Sequence, residues 1–310
     1  MGDDHDHDHD HDHHGHDFDR AFAFGMALNL GLVIVQIVFG VLSRSMALVA
    51  DAGHNFSDVL GMALAWGASV LGRRRPTATR TYGFGRSSIV AALANAVLVI
   101  LAVGAITWES IQRFWHPAPV DGGTMMWVAA VGIAVNLLSA LPFLAGRKRD
   151  LNIRAVLSHL LSDAAVSVAV LGGGAIVLFT GARWVDPFTS LLISVVIVAG
   201  TWRILRESLD LMIDAVPKQI DLARVHEALN QLPGVTEVHD LHVWATSTTD
   251  TAMTAHLVIP GEHDDGFLVA ANTVMHVRFG IKHSVIQIER SSLSGCCELP
   301  LPNLRLRPQS

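Results

Sequence analysis

Six long apolar stretches fill the first two thirds of the chain, and short polar segments separate them. A helix needs about 20 apolar residues to cross a bilayer, and each of the six stretches reaches that length. One buried helix of a soluble protein could look the same, but six in succession favour a membrane protein. The pattern predicts six transmembrane helices, at 21–42, 46–71, 87–109, 124–146, 152–180 and 185–206.

Near residue 209 the pattern changes to that of a small soluble domain. Two amphipathic or mixed segments predict helices at Asp221–Gln231 and Phe267–Phe279. Three segments rich in β-branched residues predict strands at Val235–Trp244, Thr251–Ile259 and His283–Glu289. The order α-β-β-α-β predicts a small α+β sandwich with its helices on one face of the sheet.

The predicted domains follow from these two patterns. They are a disordered His- and Asp-rich tail at 1–20, a six-helix transmembrane domain at 21–208, an α+β domain at 209–290 and a loose tail at 291–310. The first tail alternates His and Asp and has almost no apolar residue to bury, so it should not fold by itself. Such a tract binds transition metals weakly at many sites, although a purification tag is an alternative origin.

Charge supports the membrane class and orients the helices. Only 16% of the residues are charged, against about 25% in an average soluble domain. Short cytoplasmic loops of membrane proteins are enriched in Lys and Arg. Five arginines lie in the loop at 72–86, and three basic residues lie at 147–149, whereas the opposite side has three single arginines, Arg44, Arg113 and Arg183. Both termini are therefore expected in the cytoplasm.

Ionisable residues inside the predicted spans are concentrated in the second and fifth. Each of these spans carries His-x-x-x-Asp, namely His54 with Asp58 and His159 with Asp163. The i, i+4 spacing puts both side chains of a pair on one helical face, about 6 Å apart. Two such faces turned together offer two imidazole nitrogens and two carboxylate oxygens, a tetrahedral set that suits Zn²⁺.

Two alternatives remain open for these residues. The first is that they form hydrogen bonds that hold the helices together. The second is a membrane redox protein in which His54 and His159 are the axial ligands of a haem, although that role leaves both aspartates unexplained. Asp51 precedes His54 by one turn and could be a metal ligand, an outer carboxylate or a helix-stabilising group.

Four segments resemble the cation diffusion facilitator family, and more narrowly its zinc-transporting branch. They are HNFSD in the second span, HLLSD in the fifth, TYGFGR before the third and VHDLHVW in the α+β domain. The resemblance implies a six-span homodimeric antiporter that exchanges Zn²⁺ for protons, with a cytoplasmic ferredoxin-like domain. It also implies that His54, Asp58, His159 and Asp163 form the transport site. The metal site that some members have in the loop between spans two and three is not expected, since that loop lacks His, Asp and Glu.

The family pattern also favours a regulatory metal site in the α+β domain, formed by His239, His256, His283 and Glu289. His242 should point away from His239, because side chains three apart on a regular strand lie on opposite faces. Ordinary surface or core histidines are the alternative. The adjacent Cys296 and Cys297 exclude a disulfide framework, and they resemble the cysteine-bearing C-terminus of some members.

Together these features predict a secondary transporter, not an enzyme. It would export Zn²⁺, with Cd²⁺ and Co²⁺ as alternatives, in exchange for protons by alternating access. No ATP-binding Gly-x-x-x-x-Gly-Lys loop and no His-Glu-x-x-His protease motif occurs. We expect no prosthetic group and no nucleic-acid partner, a homodimer, and a location in a bacterial inner membrane.

Overall fold

A computed structural model describes residues 13–141, 151–262 and 264–291, with side chains described from Met26 to Leu141 and from Val156 onward. The order of elements is six long helices followed by α-β-β-α-β, as the sequence predicts. The long helices are α1 His13–Leu42, α2 Met46–Gly72, α3 Ser87–Trp115, α4 Gly122–Ala140, α5 Leu151–Thr180 and α6 Val185–Met212.

Four of the described helices are long and apolar enough to cross a membrane, which makes this a membrane protein. They are α3, α4, α6 and the part of α5 at Val156–Thr180. The apolar part of α1 at Met26–Leu42 is shorter, and α2 carries Asp51, His54 and Asp58, which lower its hydropathy. The count of six spans therefore stays a prediction. Helix α1 begins at His13, inside the segment predicted to be a disordered tail, because an established helix extends more easily than a new one starts.

The first turn of α2 is stabilised by a carboxylate from α6. Asp186 accepts hydrogen bonds from Ser45 Oγ at 2.6 Å, Met46 N at 2.8 Å and Ala47 N at 3.1 Å. These amides have no partner within their own helix, so a buried acceptor satisfies them in an apolar environment. The start of α2 is thereby fixed against the start of α6.

Close contact between α4 and α5 fixes α5 in the helical unit. A Cβ atom on Gly122 would lie 2.7 Å from the carbonyl oxygen of Gly174, and one on Gly174 would lie 2.9 Å from Met126 Cγ. Small residues of this kind let helix backbones approach in membranes. A buried apolar cluster continues from this contact to α2, α3 and α6 and includes Leu48, Val103, Met125, Val170 and Ile193.

The C-terminal domain consists of α7 Leu222–Asn230, β1 Glu237–Ala245, β2 Thr251–Val258, α8 Asp265–Phe279 and β3 His283–Glu289. The sheet order is β1-β2-β3, with β1 antiparallel to β2 and β2 parallel to β3. The core packs Val225 of α7 and Met275 of α8 against alternate side chains of the strands, among them Val243, Leu257 and Ile286. The predicted α-β-β-α-β order is confirmed.

A β-bulge in β1 corrects one prediction. His239 pairs with His256, but His242 pairs with Thr254, so β1 has one extra residue between its two histidines. Asp240 at the bulge has a φ of 49°, a left-handed conformation that Asp tolerates better than most residues. Because His256 and Thr254 are two apart on β2, they share a face, and their partners share it too. His239 and His242 therefore lie on the same face, not on opposite faces.

The chain separates into two compact units. One contains residues up to Ala63 together with Asn95–Trp202, and the other contains Leu64–Ala94 with residues from Arg203 onward. Within the second unit, Thr248 N donates to Ser88 Oγ at 3.0 Å, and Arg86 pairs with Asp214 at 2.6 Å. The boundaries at 208 and 290 stay predictions.

Candidate metal centre

The facing sides of α2 and α5 bring together the four ionisable residues of the two His-x-x-x-Asp pairs. We call His54, Asp58, His159 and Asp163 the α2–α5 quartet. His54 Nε2 lies 3.2 Å from Asp163 Oδ1, and His159 Nε2 lies 3.5 Å from Asp58 Oδ2 and 3.7 Å from Asp163 Oδ2. Ligand atoms of His54, Asp58 and Asp163 all lie within 4.8 Å of one another. Each imidazole thus faces a carboxylate of the other helix.

Burial differs across the quartet. The side chain of Asp163 is 3% exposed and that of His54 is 16% exposed, whereas Asp58 reaches 27% and His159 reaches 49%. Asp163 contacts both histidines, so it is the central residue of the quartet. A divalent cation between the two carboxylates would leave no net charge. The donor set of two nitrogens and two oxygens fits Zn²⁺.

Asp51 lies outside this group and has its own partners. Its Oδ2 atom accepts hydrogen bonds from Gln36 Nε2 of α1 at 2.6 Å and from Ser167 Oγ of α5 at 3.2 Å. Asn55 Nδ2 donates to Gln36 Oε1 at 2.9 Å. All four residues of this network are buried. Gln36 and Ser167 are not among the predicted site residues, because a single uncharged polar residue in an apolar helix carries no signal of its partner.

A second cluster lies on the sheet of the C-terminal domain. His239 Nε2 is 3.1 Å from Glu289 Oε2, and His256 Nδ1 is 3.1 Å from Glu289 Oε1. The two imidazole rings meet edge to face at a centroid distance of 5.2 Å. We call His239, His256 and Glu289 the sheet triad, and its ligand atoms lie within 4.8 Å of one another. Both sites are thus built from imidazole and carboxylate groups.

The structure does not bring His283 to the sheet triad. His283 pairs with Ala252, whereas Glu289 pairs with Val258 at the other end of the same strands. Six residues along a strand correspond to about 20 Å, and the His283 ring instead lies edge to face with Tyr82, at a centroid distance of 5.6 Å. The family pattern placed His283 on the same strand as Glu289, but the two residues lie at opposite ends of that strand.

Asp240 joins the sheet triad in place of His283. Its Oδ2 lies 3.6 Å from His256 Nε2, and its Oδ1 lies 3.0 Å from His242 Nε2. The β-bulge makes this contact possible. A prediction from the regular alternation of side chains along a strand does not include it. The tail residues 1–12, the basic residues at 147–149 and the pair Cys296 and Cys297 lie outside the described residues.

Comparison with known proteins gives two family matches that together cover most of the chain. Residues 23–213 match the family described as "Cation efflux transmembrane domain". Residues 217–291 match the family described as "Cation efflux protein, cytoplasmic domain". The first match contains the α2–α5 quartet, and the second contains the sheet triad.

Curated bacterial proteins are similar over nearly the whole chain. The zinc transporter ZitB of Escherichia coli is 34% identical over 266 residues, which are 85% of each chain. The metal cation efflux system protein CzcD of Cupriavidus metallidurans is 32% identical over 83% of this chain and 82% of its own. A cadmium, cobalt and zinc/H(+)-K(+) antiporter of Bacillus subtilis is 29% identical over 83% of this chain and 84% of its own. None of these matches supports the haem alternative.

Proposed function

The chain belongs to the cation efflux family, the cation diffusion facilitators, and we propose that it exports Zn²⁺ from the cytoplasm in exchange for protons. As a member of this family it is a membrane transporter of metal cations. The identity of the metal, the counter-ion and the transport residues are the parts that we propose here.

The convergence of the α2–α5 quartet is the observation that carries the proposal. Charged side chains are costly among apolar helices and usually mark an ion pathway. Here two imidazoles and two carboxylates from facing helices lie within 3.2–3.7 Å of a partner. Imidazole nitrogen favours Zn²⁺, Cd²⁺ or Co²⁺ over Mn²⁺, which prefers oxygen ligands. The relatives named as zinc transporters favour Zn²⁺ among the three.

Exchange follows from competition for the same atoms. A proton and a zinc ion both need the lone pairs of the quartet, so binding of one releases the other. Without metal, each histidine of the quartet lies beside a carboxylate, which would stabilise the protonated imidazole. Protonation on the acidic side of the membrane would expel the ion, and rocking of helices would return the protonated site to the cytoplasm. The antiporter name of the Bacillus subtilis relative supports proton exchange.

The remaining features of the proposal concern topology and assembly. We infer six spans with both termini in the cytoplasm, from the arginines of the loop between α2 and α3 and from the positive-inside rule. We also infer a homodimer in a bacterial inner membrane, which the family and the bacterial relatives support.

We further infer that the sheet triad binds a regulatory Zn²⁺ in the cytoplasmic domain. Three ligand atoms within 4.8 Å leave one coordination position of a tetrahedral ion for water or another group. His283 has no part in this proposal, because it lies at the other end of β3.

Purified full-length protein in proteoliposomes tests the proposal. We expect uptake of Zn²⁺, Cd²⁺ and Co²⁺ but not Mn²⁺ when the liposome interior is more acidic than the medium. Empty liposomes and the Asp163→Ala variant are the controls. Uptake that ignores the pH gradient, or equal uptake by Asp163→Ala, would contradict the assignment.

A further inference from the structure

Asp51 is a buried carboxylate that the proposed exchange does not yet use. It lies on α2 with 0% of its surface exposed, three residues before His54 and seven before Asp58, hence near the face that carries the quartet. Gln36 and Ser167 both donate to Oδ2. Among the described residues Oδ1 has no hydrogen-bond partner, although it is buried.

Neutral side chains surround this carboxylate on α1 and α4. Residues 26–42 of α1 and the whole of α4 contain no titratable side chain. Helix α4 approaches these donors at Gly132, where a Cβ atom would lie 3.0 Å from Ser167 Oγ and 3.5 Å from Gln36 Nε2. Glycine at this position is what lets α4 close over the two donors, so the carboxylate is enclosed by apolar and uncharged groups.

Several charged groups of the neighbouring helices have partners of their own. On α5, His159 and Asp163 belong to the quartet, as do the two later residues of α2. On α3, Glu109 and Arg113 pair with each other at 3.1 Å. On α6, Asp186 is held by the first amides of α2. Among the described residues no Lys or Arg acts on Asp51, so only a protonated His54, one turn away, could offset its negative charge. Whenever His54 is neutral, that charge would be buried without a partner, which costs several kcal/mol.

We propose that Asp51 is a further proton-binding residue of the exchange, and that its Oδ1 atom carries a proton whenever the quartet holds no metal. This inference rests on the proposed function. A proton from water on the acidic side forms the O–H bond at Oδ1. On the cytoplasmic side, Zn²⁺ entering the quartet one helical turn away favours the ionised carboxylate, so that the O–H bond breaks and the proton passes to water.

The hydrogen bonds of Asp51 suit both states. Gln36 and Ser167 donate to Oδ2, which can accept hydrogen bonds whether Oδ1 is ionised or protonated. In sequence, Asn55 is next to His54 on α2, and Ser167 follows Asp163 by one turn on α5. The hydrogen-bond network of Asp51 is therefore adjacent to the quartet on both helices. Coupling between a bound metal and a bound proton at separate positions is reciprocal, so each weakens the binding of the other.

The Asp51→Asn variant tests this proposal, because it keeps the shape and removes the titratable oxygen. In full-length protein binding Zn²⁺ in detergent, the variant should release one proton fewer per metal than the wild type. In proteoliposomes with the voltage clamped at zero, its limiting Zn²⁺ accumulation ratio should fall about tenfold for each pH unit of gradient, the factor that one coupled proton supplies.

Two further variants separate proton binding from a structural role. Asp51→Glu restores a carboxyl and should restore the wild-type proton count. Ser190→Ala removes a buried hydroxyl that bonds Ser110, away from this network, and should leave the ratio unchanged. If Asp51→Asn fails to insert, Ser167→Ala takes its place, and this variant should keep the accumulation ratio but change the pH dependence of uptake.

The outcomes distinguish this proposal from the one on which it rests. A wild-type protein that binds Zn²⁺ but shows no pH-driven uptake would refute the proposed exchange. A wild type that exchanges normally, with the same proton count and accumulation ratio in Asp51→Asn, would overturn the role of Asp51 alone. An unchanged pH profile in Ser167→Ala would overturn it too.

Discussion

Replacing Asp163 by Asn should damage zinc binding more than any other single amide substitution in the quartet. Asp163 lies within 4.0 Å of both His54 and His159, whereas Asp58 lies that close to His159 but not to His54. Its side chain is 3% exposed, against 27% for Asp58. Asparagine keeps the size of the side chain and one of its two oxygens. The variant therefore tests the loss of the negative charge and not a change of side-chain volume.

The magnitude follows from the burial of the site. Removing one member of a buried charge pair costs about 3–5 kcal/mol. With about 1.4 kcal/mol for each factor of ten, zinc affinity should fall between about a hundredfold and a few thousandfold. Asp58→Asn should cost less, about tenfold to a hundredfold, because water reaches that side chain and screens the interaction.

Competition between the purified full-length protein and a fluorescent zinc chelator measures these affinities. Ser162→Ala is the matched control, since Ser162 is the neighbour of Asp163 on α5, and its exposed hydroxyl donates to the carbonyl of Ser158. Helix content by circular dichroism should be the same for all four proteins. An Asp163→Asn affinity equal to that of Ser162→Ala, or a larger loss in Asp58→Asn, would refute the reasoning.

Three other predictions concern selectivity, the sheet triad and pH. His54→Asp should retain transport and admit Mn²⁺, because an oxygen donor replaces nitrogen; unchanged selectivity in liposome uptake would place His54 outside the coordination sphere. Excess Zn²⁺ should raise the melting temperature of the full-length protein through binding to the native state. Alanine at both triad histidines should reduce that rise, whereas His283→Ala should not, and equal effects would contradict the triad. The hydrogen bond from Lys282 holds the pKa of Asp250 below its usual range, so this pair stabilises the folded domain above about pH 4 and less as the pH falls below the ordinary Asp value. Lys282→Met should flatten the acid side of melting temperature against pH, and an unchanged slope would exclude the pair.

Features that depend on one helix or one strand could be predicted from the sequence. The i, i+4 spacing of His54 with Asp58 and of His159 with Asp163 is a property of each helix alone. Because the other faces of these helices are apolar, the two charged faces are expected to lie against each other. The order of elements in the C-terminal domain followed from local patterns of turns and β-branched residues in the same way.

Features that depend on contacts between elements could not be predicted. The hydrogen bonds of Asp51 require Gln36 from α1 and Ser167 from α5, and no spacing within one helix reveals which residues of other helices lie opposite. The β-bulge at Asp240 shifts the register by one residue, which changes the face of every side chain before it. His283 lies on the expected strand, but only the pairing register shows that it is remote from Glu289.

Simultaneous recording of zinc and internal pH in proteoliposomes tests the central claim most directly. Wild-type protein is reconstituted with an acidic interior, zinc is added outside, and two dyes inside report the metal and the pH. The account predicts that zinc enters against its concentration gradient while the interior becomes more alkaline, and that Asp163→Ala abolishes both signals together. Zinc entry without any change of internal pH would contradict it.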